Sequence, residues 1–161
     1  MRQSNQYSHP SNRYLGWYVE LQEDFNPFEQ AKLYHLVGLS DYAEALAASS
    51  MYTIVLRIET FEEESLYLTY NRQKGVNIDV REFEDKVTVV RANGRHQSWV
   101  EAGLSPRQRY SKSIVDGSGM ALEIVVCERV SGSPDYAVSV IDHENRTRTL
   151  AFYLTNFPRC Y

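Results

Sequence analysis

Arg109 and Tyr110, adjacent in the polar stretch "RQRYSKS", offer a guanidinium and a phenol as donors able to orient a polar or anionic ligand head. Arg148 makes a similar offer. It shares parity with Leu150, Phe152 and Leu154 in "RTLAFYLTN". If that face looks inward, its guanidinium projects beside Phe152 near one end of an apolar cavity. A buried Arg needs a partner, and a ligand carboxylate supplies bidentate bonds. Trp99 in "RHQSWVEAG" shares its face with Gln97 and Glu101, so it either lines such a cavity or belongs to an external patch. Each of these residues also has a plainer reading: Arg148 reaching solvent from the start of its strand, and Arg109 and Tyr110 on an exposed edge. Arg57 and Arg129 sit opposite the apolar faces of their strands and point outward.

Catalytic chemistry has less to stand on. His9, His35, His96 and His143 fall in a tail, a helix, a strand and a turn, without metal-ligand spacing. The run Glu62, Glu63, Glu64 reads as a solvated hairpin loop. No glycine-rich phosphate loop or nucleophile elbow occurs. The sequence therefore implies no catalytic residue, metal or cofactor.

The elements that must position these residues follow from periodicity. Residues 1–13 are polar and aperiodic and read as a flexible tail, and 14–161 read as one domain. Leu15, Trp17, Val19 and Leu21 alternate as an opening strand, with Trp17 as core packing. "NPFE" then carries a helix cap at Asn26, and the spacing of Phe28, Ala31, Leu33 and Leu36 predicts a helix, closed by Gly38. "DYAEALAAS" predicts a second helix, so residues 27–50 read as helix-break-helix. From Met51 the period becomes two. Strands are predicted in "MYTIVLRIET", "SLYLTY", "GVNIDVREF", "DKVTVVRANG", "RHQSWVEAG", "RQRYSKSIV", "MALEIVVCERV", "YAVSVID" and "RTLAFYLTN", with turns at Asn93-Gly94, "DGSG" and "HENRT". The expected fold is mainly β: an antiparallel up-and-down barrel of about ten strands with a helix-turn-helix cap after the first.

Composition sets outer bounds. A formal charge of −4 argues against a nucleic-acid partner. No apolar run reaches the roughly eighteen residues of a membrane-spanning helix. The opening "RQSNQYSHPSNR" does not read as a signal peptide, although a mature secreted fragment would look the same. Cys127 and Cys160 either pair in an oxidising compartment or stay reduced in the cytoplasm, and Asn145-Arg146-Thr147 is a glycosylation triplet.

The order strand, helical pair, then nine strands resembles the calycin group, and within it the fatty-acid-binding proteins more than the lipocalins. "YLGWYVEL" and "EDFNPFEQA" carry the resemblance. Gly16 directly precedes Trp17, so the lipocalin Gly-x-Trp spacing is not met. The resemblance implies a capped barrel that binds a small hydrophobic ligand of the fatty acid, retinoid, sterol or tetrapyrrole class. The terminal Arg159-Cys160-Tyr161 matches the letters of that family's carboxylate-holding pair. Apolar residues on the second faces, Val55, Tyr67, Val90, Val125 and Ile141, point instead to a protein-interaction module, a homodimer or a different face assignment. A small barrel enzyme, an isomerase or chromophore lyase, is the third reading.

Overall fold

A computed structural model describes residues 18–27, 30–48, 51–60, 64–79, 81–93, 97–113 and 120–145. They are mainly β and form two five-stranded sheets. The first has the order β1 (Gln22–Phe25), β4 (Val55–Ile58), β5 (Ser65–Asn71), β6 (Lys86–Asn93), β7 (Gln97–Leu104). The second runs β3 (Tyr52–Thr53), β2 (Lys32–Val37), β10 (Tyr136–Asn145), β9 (Met120–Val130), β8 (Arg109–Ser113). Both are mixed: β1 pairs β4 and β2 pairs β3 in parallel, and the other ladders are antiparallel.

Alternation along the strands produces the core. Leu56 and Ile58 face Leu68 and Leu66 across the β4–β5 ladder. These residues, with Phe25, Tyr70, Val87, Val89 and Leu104, form one buried cluster with Tyr34, Leu36, Leu122, Ile124, Val126, Ala137 and Ile141 of the other sheet. The two sheets therefore sandwich a common apolar layer. A second cluster joins Val55, Tyr67, Val90 and Ala92, on the outer face of the first sheet, with Leu21, Ile54, Val37 of β2 and Ala45 of α1 (Tyr42–Ala48), the one α-helix among the described residues.

Several expectations are corrected. The described strands close into no barrel, because no ladder joins the two sheets. The chain crosses between sheets at Ile54, which alone separates β3 from β4. Of the helical pair only α1 forms. Residues 32–37 are strand β2, whose pairing with β10 buries Tyr34 and Leu36 and leaves Leu33 exposed. Where a strand was expected around 75–83, the described residues form a 3₁₀ turn (Gly75–Asn77) and loop: Gly75 takes φ 58°, and Asn71 captures the carbonyls of Glu82 and Phe83. The turn expected at "HENRT" is still strand through Asn145, held by the long β9 ladder. Apart from Val125, which is half-buried and in neither cluster, the second apolar faces are accounted for without a closed sheet. Val55, Tyr67 and Val90 enter the second cluster and Ile141 the first. Residues 1–13, Trp17 and 146–161 lie outside the described residues.

Candidate functional site

The β7–β8 turn, Ser105-Pro106-Arg107-Gln108, is closed by the Gln108 N–H donating to the Ser105 carbonyl at 3.0 Å. Of the turns that take proline second, type II has positive φ at the third position and ordinarily holds glycine or asparagine there. Here it holds Arg107, at φ 69°. The turn is docked on β9: Arg107 N–H donates to Val126 O at 2.7 Å, and Val126 N–H to Gln108 O at 3.1 Å. Facing it, the loop into β6 contains Phe83 at φ 54° and Asp85 at φ 52°. The Phe83 ring occupies the space a side chain on Gly103 would need, since a Cβ there would sit 2.0 Å from Phe83 Cδ1. Between these segments and the end of β9 lies an open cleft of about 580 Å³, lined by residues 84–86, 105–107 and 127–129. Asp85 and Arg107 line it and Phe83 braces its wall, so three of the four described non-glycine residues with positive φ gather at one place. Such backbone strain concentrates at functional sites.

An ion network anchors one wall of the cleft. Arg72, just past β5, donates from Nη1 to Asp85 at 2.6 Å and from Nε to Asp135 at 3.0 Å, linking the first sheet to the β9–β10 turn of the second. Arg129 at the end of β9 lies 3.0 Å from the other Asp85 oxygen. Burial alone would raise the Asp85 carboxyl. The Gln73 amide, Arg72 and Arg129 outweigh it and hold Asp85 below its usual range. Asp135 behaves alike: burial opposes, but the Gly132 amide and Arg72 lower it. Arg72 is raised, chiefly by its bond to Asp85. Burial, with Asp85 adding to it, pushes the Tyr70 phenol up to about 12. That hydroxyl is buried and has no hydrogen-bond partner among the described residues.

The residues singled out from sequence fall elsewhere. Trp99 and Tyr110 meet along the neighbouring edges β7 and β8, around Glu101. The Arg91 guanidinium stands 4.8 Å from the centre of the Trp99 ring. It is clamped by Glu101 at 2.6 Å and Glu64 at 2.8 Å, and the Tyr110 hydroxyl donates to Glu101 at 3.4 Å. Trp99 remains 40% exposed, which leaves it available to a partner. Arg109 points to the opposite face of β8 and pairs with Glu123 at 2.9 Å. Arg148 and Phe152 lie outside the described residues. His35 sits beside Tyr136 and Tyr52 on the outer face of the second sheet. Cys127, at the cleft, is disulfide-bonded, and Cys160, the chain's one other cysteine, lies outside the described residues.

Sequence reasoning missed the cleft. No local signal marked it, because Ser-Pro-Arg-Gln fits equally a type I turn, whose third position accepts arginine. Among the described residues no three potential metal ligands cluster. Comparison with protein-family models, with curated proteins and with solved structures found no match.

Proposed function

We propose that this chain is a binding module that takes a small polar ligand in the cleft between the β6 approach, the β7–β8 turn and the end of β9. The observation that carries the reading is the gathering of left-handed residues there, with Arg107 in a glycine position. The volume of about 580 Å³ falls within the range of small-molecule sites. The disulfide at Cys127 fits an oxidising compartment.

The test is amide chemical-shift mapping with a panel of amino acids, short peptides, organic acids, polyamines and sugars. Shifts confined to residues 84–86, 105–107 and 127–129 are expected with at least one class. A panel that moves none of them removes the proposal. A fatty acid or similar ligand inside a closed barrel, as the resemblance implies, is the weaker reading, because the layer between the sheets is filled by side chains.

A second reading has its own observation. The exposed, clamped Trp99 on edge strand β7 has the character of an interface anchor, and a second copy of the chain is the partner it suggests. Sedimentation should then show a concentration-dependent mass that Trp99→Ala abolishes. A constant monomer mass would end this reading.

A further inference from the structure

We infer that the ligand of the cleft is a zwitterion, carrying a carboxylate and an ammonium group, such as a free α-amino acid or a short unblocked peptide. This rests on the cleft being a binding site at all. Its own support is the distribution of unpaired charge. Eight of the eleven described lysines and arginines have a partner: Lys32, Arg57, Arg72, Lys74, Arg91, Arg109 and Arg129 sit in ion pairs, and Lys112 is engaged as well. Arg81, Lys86 and Arg107 have none, and the last two line the cleft. The described carboxylates divide the same way. Asp79, Glu84 and Glu128 lack a partner, and Glu84 and Glu128 line the cleft.

Two cations and two anions thus share one concavity, and no pair of them closes to an ion pair. Charges of opposite sign held apart in this way match a ligand that bridges them. A ligand of one sign would satisfy half of the set and leave the other half repelled. The remaining charges of the cleft do not alter the balance, because Asp85 is already neutralised by Arg72 and Arg129. Arg107 offers the planar fork suited to a carboxylate, with Lys86 as a second cation. Glu84 and Glu128 are acceptors for an ammonium group. The strained backbone at Arg107 and Asp85 fixes where the loops present these groups before a ligand arrives, which lowers the cost of binding.

The experiment titrates the intact protein with glycine, alanine and the tripeptide Ala-Ala-Ala, and with two blocked tripeptides, N-acetylated and C-amidated, followed by amide shifts and calorimetry. Each blocked tripeptide loses one of the two charges. The unblocked tripeptide or an amino acid should shift the cleft amides, and each block should weaken binding about ten-fold or more, the scale of a lost charge-assisted hydrogen bond. Free amino acids binding best would identify a metabolite-sized ligand, and tripeptide binding best a peptide terminus. Two variants cross-check the assignment. Arg107→Gly should weaken the unblocked tripeptide yet leave the C-amidated one unchanged. Glu128→Gln, with Glu84→Gln beside it, should weaken the unblocked tripeptide and leave the N-acetylated one unchanged. Blocked and unblocked tripeptides binding equally would overturn the zwitterion assignment. So would cleft shifts produced only by dicarboxylates, polyamines or sugars, although the cleft would then still be a binding site. Silence from the whole panel would remove both readings.

Discussion

Replacing Arg107 with glycine separates strain from contact. An L-residue in the left-handed region gives up roughly 1–2 kcal/mol, and Arg107 is there at φ 69°. Glycine takes that φ freely, but its greater freedom in the unfolded chain takes back roughly 0.5–1 kcal/mol. The Arg107 side chain makes no hydrogen bond or ion pair among the described residues; the turn is held by backbone bonds and by the Ser105 N–H donating to Gln108 Oε1. The net expectation is therefore a stability gain of about 0.5–1 kcal/mol. Urea unfolding followed by far-ultraviolet circular dichroism would read it as a higher midpoint at unchanged slope. Asp85→Gly is the natural control. It relieves the same kind of strain, at φ 52°, but surrenders the bonds from Arg72 and Gln73 and the pairing with Arg129. It should come out destabilised by more than the relief returns. If Arg107→Gly destabilised the fold, the arginine would be a structural contact, and strain kept for binding would no longer explain its place.

The ion network predicts a pH dependence. Asp85 and Asp135 titrate lower in the folded protein than their unfolded value of about 3.9. Their contribution is whole above that value and is lost as pH falls through the lower folded values. Arg72→Met should accordingly cost about 1–3 kcal/mol at pH 7, with the gap to the native protein narrowing below about pH 4; a gap constant from pH 6 to pH 2.5 refutes the network. Gly103→Ala should drive Phe83 off its seat and cost about 1–3 kcal/mol in urea unfolding. Phe83→Ala added to it should cost much less than the sum, and strict additivity would show that the two do not touch. On the buried outer face of the first sheet the Thr69 and Thr88 hydroxyls are 2.8 Å apart, and Thr88 also donates to the Thr69 carbonyl. Thr88→Val strands the Thr69 hydroxyl, at about 1–3 kcal/mol, whereas Thr69→Val leaves Thr88 its carbonyl. The first should therefore be the costlier in thermal unfolding, and the opposite order would reverse the donor assignment.

Some strands were legible because their alternation is both regular and β-branched. β6 and β9 fall within the residues that "DKVTVVRANG" and "MALEIVVCERV" marked. The same period misled elsewhere. Val76, Ile78 and Val80 alternate, but β5 and β6 each already have two neighbours, and the first sheet ends at β1 and β7. A strand at 75–83 would have had no partner beside either. Tyr52, Ile54, Leu56 and Ile58 alternate without interruption, yet Ile54 belongs to the outer cluster while Leu56 and Ile58 belong to the inner one. Period two marks which face is apolar; it carries no record of the sheet to which that face belongs. Leu33 and Leu36 fitted a helix equally well, and pairing with β10 decided for the strand.

The cleft was illegible for a related reason. Its charges come from three segments spread between residues 84 and 129, and none of the three is unusual by itself. Tyr70 and Leu104 mark where the common apolar layer stops at this end of the sandwich. Beyond them the sheets are joined by ions, with Arg72 spanning from β5 to the β9–β10 turn. That junction uses Arg72, Arg129, Asp85 and Asp135 and is electrically balanced. Lys86 and Arg107 form no ion pair with Glu84 or Glu128, in a chain that pairs most of its other described cations. That arrangement, beside an arginine at positive φ, is what the proposed site rests on.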